Sequence, residues 1–564
     1  MSPQASPQSQ SGSDDQQLRT TGRIFRRSRQ GCWTCRSPQV KKRCDEQRPV
    51  CGRCSRLKIA CDYTQRPSVA ERRRAKELAN DPDALVSSQL LQRERTTSPT
   101  ENHSLTLIRI PAPDTSASSV TLLSQDHEAI HYFRTATAKT HHTKTPDFGL
   151  FSIMFDVAQR DPMVMHMVIA IGQREMDLCR VNPDQSPKRD PIRHYASALR
   201  LMASAIAPEN NTRDLDAILT VIWLMLLYEQ QFGDAGCDAY VNHLTGASSL
   251  LQHHVKALLP PVPKNFKSND KGTVFTKSSS ANSSMTLSIY SARILIWLFL
   301  LDASASSTGI GGQITSTLLE NKFGYGAMQD ISEMEALSRF HRFSNPLYRL
   351  HWGDAYPQSE LLDDVENRNI YTILGQCSQL RFMTARLASL YQTDAARATG
   401  EARKLESAIE EVGYLATESL EVASCLSPHT DNRHRLVANI RAIVPMYYAA
   451  VLDFMRLTKF DQPLDDRQQH ALREIMNLAF QSFKHDGDIA MTRVAWPLFI
   501  AALETNDLLH REWILARFAA ISKYGSNYQR AHWFLLKIIP MQERLGKRVN
   551  LQEQLRSMER FVLG

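Results

Sequence analysis

The sequence predicts a mainly α-helical protein in three parts: a small N-terminal metal-thiolate module, a linker, and a large all-helical domain. Three observations predict it. Six of the chain's ten cysteines fall between Cys32 and Cys61. Residues 93–124 then turn rich in Ser, Thr and Pro, as a linker does. From about Leu122 onward, apolar residues recur at helical spacing and strand signals are sparse.

The cysteine stretch, Gly31 to Tyr63, reads GCWTCRSPQVKKRCDEQRPVCGRCSRLKIACDY. Its pattern is C-x2-C-x8-C-x6-C-x2-C-x6-C, a rough duplication in which each CxxC pair is followed by a basic stretch and a third cysteine. Two CxxC pairs at this density, in a chain that opens without a secretory signal, point to thiolate metal ligation rather than disulfides. Six thiolates are two short of two separate four-cysteine sites. Two Zn2+ ions can each be four-coordinate only if two sulfurs are shared.

These residues resemble the zinc-cluster (Zn2Cys6) DNA-binding domain of fungal transcription regulators. The opening GCWTC, the CDE that begins at the third cysteine and the RPVCGRC that follows carry the resemblance. It implies that Cys32 and Cys51 bridge the two metals, that Cys35 and Cys44 complete one zinc, and that Cys54 and Cys61 complete the other. It also implies a loop proline, usually cis, which falls at Pro49. One departure stands out. Eight residues, RSPQVKKR, separate Cys35 from Cys44, two more than the resemblance implies. Two extra residues inside a straight helix would rotate everything after them by about 200°. Ser37 is a good N-cap and Pro38 suits the first helical position, so the extra length fits before a helix that carries Lys41, Lys42 and Arg43 into Cys44. The alternative is a gene-model error at an exon boundary, and both readings stand on the sequence alone.

Charge follows the cysteines. Residues 1–80 hold 18 Lys and Arg against 7 Asp and Glu, whereas the rest holds 49 against 52. A small basic module of this kind suits phosphate neutralisation. No amphipathic basic helix with an aromatic face accompanies it, which favours nucleic acid over a membrane as partner. The N-terminus, MSPQASPQSQSGSDDQQ, has no apolar core. The longest apolar runs, Ile218–Leu227 and Ile294–Leu301, read as buried core helices. Cys179, Cys237, Cys377 and Cys425 are scattered, and ordinary burial in a reducing compartment explains them.

In chain order, residues 1–22 read as a disordered Ser/Gln/Pro-rich tail. Residues 23–66 form the zinc-cluster DNA-binding domain, opened by a basic arm of Arg23, Arg26, Arg27 and Arg29. Residues 67–124 are a linker, basic at Arg72–Arg74 and Ser/Thr/Pro-rich later, without sustained heptads between Val69 and Gln92. Residues 125–564 form the helical domain, with a Lys/Ser/Asn-rich loop near 260–286 (Lys264 to Ser284). Segments such as HYFRTATA, DPMVMHMVIAIG, LLYEQQFGD and WPLFIAALETND resemble the helical regulatory domain found C-terminal to the cluster in many fungal regulators.

Other constellations compete weakly. His127, Glu128 and His131 form an H-E-x-x-H, which on a helix would give two zinc ligands and a general base. A third ligand is required, and the continuation x-x-G-x-x-H is missing. Gly309, Gly311 and Gly312 read as a turn, because no P-loop lysine or GxGxxG spacing goes with them. Met163, Met165 and Met167 read as core packing.

The resemblance therefore implies a nuclear, sequence-specific regulator, not an enzyme. It implies double-stranded DNA as partner, CGG-type triplets in RNA polymerase II promoters as target, two Zn2+ per chain as cofactor, and a homodimer as one assembly. Lys41, Lys42, Arg43, Arg36 and Arg27 are its expected DNA contacts. The alternatives are a zinc-stabilised protein-interaction module without DNA binding, and a zinc hydrolase built on His127, Glu128 and His131.

Overall fold

A computed structural model of the chain describes residues 32–36, 44–61, 120–178, 190–207, 214–254, 287–320 and 333–564. It divides into two units between Ile110 and Pro111. Among the described residues the regular structure is helical, and no strand occurs.

The first unit contributes two short helices, α1 (Trp33–Arg36) and α2 (Gly52–Leu57). Each begins next to the first cysteine of a CxxC pair. Cys51 is the N-cap of α2 and accepts the Cys54 N–H on its sulfur, while Lys58 closes the helix in the left-handed conformation. The Arg48–Pro49 peptide is cis, as the resemblance implies. The expected helix running through Lys41 into Cys44 lies outside the described residues, as do the 1–22 tail, most of the linker and the 260–286 loop.

The second unit opens with α3 (Ser124–Tyr132), a π-helical turn over Phe133–Thr137, and α4 (Ala138–His141). There follow α5 (Leu150–Ala158), α6 (Pro162–Leu178), α7 (Pro191–Ile206), α8 (Leu215–Phe232) and α9 (Asp238–His254). Next come α10 (Ile289–Ser306), α11 (Gln313–Glu320), α12 (Glu333–Ser344), α13 (Leu347–Trp352) and α14 (Gln358–Glu366). The second half holds α15 (Arg368–Thr393), α16 (Ala395–Leu415), α17 (Thr417–Cys425), α18 (Arg435–Thr458) and α19 (Asp466–Asp486). It ends with α20 (Ala495–Glu504), α21 (Leu508–Ile521), α22 (Ser526–Leu545) and α23 (Leu551–Ser557).

Local chemistry starts many of these helices where they start. Asp214, Ser288, Asp394 and Asp507 each cap the helix after them by accepting backbone N–H groups that have no partner within it. Asp465 and Gln468 form a reciprocal capping box at α19. By length and composition alone, α8, α10 and α18 would suffice to cross a membrane, yet 83%, 78% and 67% of their apolar windows are buried inside the protein. They are core helices, as expected for the first two.

Their packing creates two apolar cores. One gathers residues of α3 to α13 around Ile218, Trp223 and Leu298. The other gathers residues of α15 to α23 around Val444, Leu498 and Phe518. The extended C-terminal residues bind both: Val562 enters the first core, Phe561 and Leu563 the second. Polar latches cross the same seam. Arg381 donates to Ser304, Ser307 and the Leu563 carbonyl, Thr143 donates to Asn439 at 2.7 Å, and Ser526 donates to the Gln231 and Gly233 carbonyls.

Several expectations meet this fold directly. Met163, Met165 and Met167 are buried core residues of α6. Gly309 to Gly312 form the turn between α10 and α11, where the buried Asp302 carboxylate accepts the Gly312 N–H at 2.7 Å. A Cβ on Gly311 would lie 2.3 Å from the Asp302 carbonyl oxygen, so glycine is required by close approach. Cys237 and Cys377 are buried, but Cys425 at the end of α17 is exposed, which corrects the expectation of burial for that residue. The α17 core-facing position is Ala423, and Cys425 falls two residues past it on the solvent side.

Candidate metal centre and nucleic-acid interface

The core of the first unit is sulfur. Cys32, Cys35, Cys44, Cys51 and Cys54 are each at most 2% exposed, and Cys61 packs against them partly buried. Cys32 and Cys51 lie 3.8 Å apart between their Sγ atoms, Cys35 and Cys51 3.6 Å, Cys32 and Cys44 3.9 Å, and Cys32 and Cys54 3.8 Å. A tetrahedron of sulfurs around zinc, with Zn–S of about 2.3 Å, has edges of about 3.8 Å. The donor set and its spacing therefore fit thiolate-bound zinc. Cys32, Cys35, Cys51 and Cys54 form a four-sulfur group, all within 4.8 Å of one another. It mixes the two ligand sets that the resemblance implies, since Cys35 and Cys54 are 3.9 Å apart. Cys61 joins through the Cys51 N–H, which donates to its sulfur at 3.3 Å.

Burial and hydrogen bonding act on the thiols in opposite directions. Burial pushes the Cys32 thiol up, and it pushes Cys54 up to about 12. Burial would also raise Cys51, but donation from the Cys54 N–H and from neighbouring sulfurs outweighs it and lowers Cys51 to about 6. Six thiolates need divalent charge beside them.

Surrounding side chains hold the sulfurs in place. Asp45 accepts the Gly52 N–H at 2.8 Å, and a Cβ on residue 52 would lie 2.5 Å from that same carboxylate oxygen. The CDE and CGRC fragments thus support each other. Thr34 donates to the Ala60 carbonyl at 2.7 Å and joins the two halves. Arg53 places a guanidinium nitrogen 3.7 Å from the Cys35 sulfur. Sequence reasoning passed over Asp45, Gly52, Thr34 and Arg53. The acidic residue beside Cys44 and the glycine after Cys51 were the available signals.

The expected DNA contacts Arg27, Lys41, Lys42 and Arg43 lie outside the described residues. Arg36 ends α1, and its side chain is likewise outside them. In the second unit, α3 carries the H-E-x-x-H with His127, Glu128 and His131 all exposed. Its buried face is Asp126, Ala129 and Ile130, and Asp126 accepts from Gln173 at 2.8 Å. Among the described residues, the groups able to hold a metal are the cysteine nest and the Cys44, Asp45 and Cys51 set.

Comparison with known proteins decides the family. Residues 129–538, most of the chain, match the fungal specific transcription factor domain. The chain belongs to the fungal specific transcription factors. Residues 30–69 match the fungal Zn(2)-Cys(6) binuclear cluster domain, so the regulator holds two zinc ions in its cysteine cluster. It is a member of a transcription-factor family and not an enzyme. Over 59 residues, 10% of this chain and 8% of the relative, it is 44% identical to Sterol uptake control protein 2 of Candida albicans. Zinc cluster transcription factor CZF1 of the same species is 40% identical over 62 residues, 11% of this chain and 15% of its own. Transcriptional regulatory protein UME6 of Saccharomyces cerevisiae is 57% identical over 37 residues, 7% of this chain and 4% of its own. The chain thus matches these curated relatives over 15% of their length or less. No solved structure matches the chain significantly.

Proposed function

We propose that this regulator acts in the nucleus by binding double-stranded DNA through its zinc cluster at CGG-type triplets in promoters, with the helical unit as regulatory or dimerisation domain. The observation that carries the reading is the nest of six cysteines, five of them buried, in the basic N-terminal stretch that holds 18 Lys and Arg against 7 Asp and Glu over residues 1–80. Cys32 and Cys51 would be shared between the two ions, Cys35 and Cys44 would complete one, and Cys54 and Cys61 the other. Bound zinc supplies the positive charge that keeps all six sulfurs ionised and the fold closed.

Lys41, Lys42 and Arg43, just before the clamped Cys44, have the donors that guanine O6 and N7 accept in the major groove. Arg27 and Arg36 suit phosphate contacts that fix register without reading sequence. The protein-interaction alternative lacks a use for the basic surplus. The test is a mobility-shift or anisotropy titration of the full chain with duplexes carrying paired CGG triplets or a scrambled control, at two salt concentrations. The reading requires preference for the triplets and binding that weakens steeply with salt. Equal affinity for both duplexes would reject the triplet assignment, and no salt-dependent binding would reject the DNA reading.

A further inference from the structure

Helices α19 and α21 face each other across an open surface groove of about 440 Å³ in the second unit. Met476, Asn477 and Phe480 form its α19 wall, and Leu509, His510 and Trp513 form its α21 wall. Aromatic rings run through it. Trp513 meets Phe483 edge to face at 6.0 Å and lies 6.5 Å from Phe480, which is 47% exposed. Beside the groove, Leu508 and Leu509 are 61% and 74% exposed at the start of α21. Leu545, also exposed, ends α22 two residues past the Glu543 that pairs with Arg511. A lone exposed leucine is ordinary, but a leucine knob beside an aromatic groove is an apolar patch of the kind that binds protein.

Most charges on these two helices are already used. Arg511 pairs with Glu543, and Arg517 pairs with Asp488 at 2.7 Å while its guanidinium covers the Phe483 ring. Asp507 caps α21 and lies 3.7 Å from His510. On α19, Arg467 reaches Tyr447, Glu474 has a buried carboxylate oxygen, and Asp486 accepts from Asn432 at 2.7 Å. Asp466 belongs to the first turn, where an acid suits the helix dipole. Three charged side chains are left, Arg473 and Lys484 on α19 and Glu512 on α21. All three are exposed, and none has a partner among the described residues.

Their placement is self-complementary. Positions 473, 477, 480 and 484 follow the helical repeat, so Arg473 and Lys484 flank the α19 wall. On α21, His510 and Trp513 lie on the groove side of Leu509, and Glu512 lies on its other side. About a two-fold axis, the Leu509 ridge of one copy enters the groove of a second, and the reverse contact follows by symmetry. Each α21 then lies between α19 and α21 of the other copy. The flank that carries Glu512 turns to the α19 edge that carries Arg473 and Lys484. A second copy of this chain thus supplies a knob for the groove, a groove for the knob and opposite charge for all three unpaired groups.

We propose that the α19–α21 groove is the homodimer interface of the helical unit, closed by reciprocal insertion of the Leu508–Leu509 knob and by contact of Glu512 in one copy with Arg473 and Lys484 in the other. The proposal rests on the reading of the helical unit as a dimerisation domain and goes beyond it by naming the surface. It does not depend on the DNA reading.

The test is sedimentation equilibrium of the full chain without DNA, from about 0.1 to 100 µM. A reversible monomer–dimer equilibrium is expected. Leu509→Ser, at an exposed position, should weaken the dimer at least about tenfold without lowering the melting temperature of the monomer. Glu512→Lys should weaken it about fivefold, as should Arg473→Glu combined with Lys484→Glu, and all three reversals together should restore it to within about twofold of the natural chain. Such rescue separates pairing between copies from damage to the fold. A dimer that Leu509→Ser and Glu512→Lys leave unchanged would overturn this surface while dimerisation itself stands. A chain monomeric throughout would overturn both. Association beyond two copies, or no rescue by the combined reversals, would overturn the reciprocal two-fold contact.

Discussion

The two units of this chain bury opposite kinds of interior. Among the described residues of the first, five cysteines form the buried core and the sixth leans on it. In the second, two extensive cores of aliphatic and aromatic residues are shared among the twenty-one α-helices of the described residues. A few dozen residues cannot remove enough apolar surface from water to offset the entropy of ordering them. Metal–thiolate bonds take that role in the cluster, on the order of 10–16 kcal/mol of apparent binding free energy for structural zinc. The helical unit instead spreads its stability over many contacts of a few kcal/mol each. Loss of one metal ligand should therefore cost the cluster one or both of its ions, whereas loss of one residue in the helical unit should have a graded effect.

The largest effect expected under that contrast is at a shared sulfur. Cys51→Ala should eject both zinc ions and abolish duplex binding, whereas Cys61→Ala should compromise mainly one ion, as native mass spectrometry would count. Equal losses in the two variants would remove the case for sharing. Next comes the most demanding charge in the helical unit. Glu504 is 4% exposed and pairs with Arg456 and, at 2.9 Å, with Arg548. Glu504→Ala leaves Arg456 buried without its carboxylate and should destabilise the unit by about 3–5 kcal/mol in thermal or denaturant unfolding. Its zinc content should stay at the natural value. A simultaneous loss of zinc would mean that the units are energetically coupled, against the contrast.

The smallest effects test base reading. Lys41→Ala should weaken binding by about 1–3 kcal/mol and relax preference for the triplet. Arg27→Ala should weaken all sequences alike and lower the salt slope by about one. Deleting Pro38 and Gln39 should keep or improve binding, because the slack before Cys44 is removed while the lysines keep their place relative to it. A natural chain that fails to bind where the deletion binds would instead mark those two residues as inactivating or as an error in the gene model.

What the sequence made legible follows from the range of the physics involved. Metal ligation by CxxC pairs is a local requirement, so the cysteines and Pro49 were readable from spacing and resemblance. Helical periodicity is also local, and the long apolar helices α8 and α10 lie buried as their composition implied. His127 and His131 share a helix, but only tertiary packing shows that Asp126, Ala129 and Ile130 take its inner face. Arg381 across the seam, and Val562 in one core while Phe561 and Leu563 enter the other, join residues in ways that no short pattern encodes. The Trp223 indole N–H, buried in the first core without a hydrogen-bond partner, belongs to the same class. Its lack of a partner exists only once the helices around it are packed.

Chelation of the intact protein tests the central contrast most directly. Metal analysis should find two zinc ions per full-length chain. A strong chelator should remove them and abolish duplex binding, while the far-UV helical signal and the main melting transition stay where they were. A single zinc ion per chain, or a helical unit that unfolds when zinc is withdrawn, would contradict an account in which metal closes one unit and apolar packing closes the other.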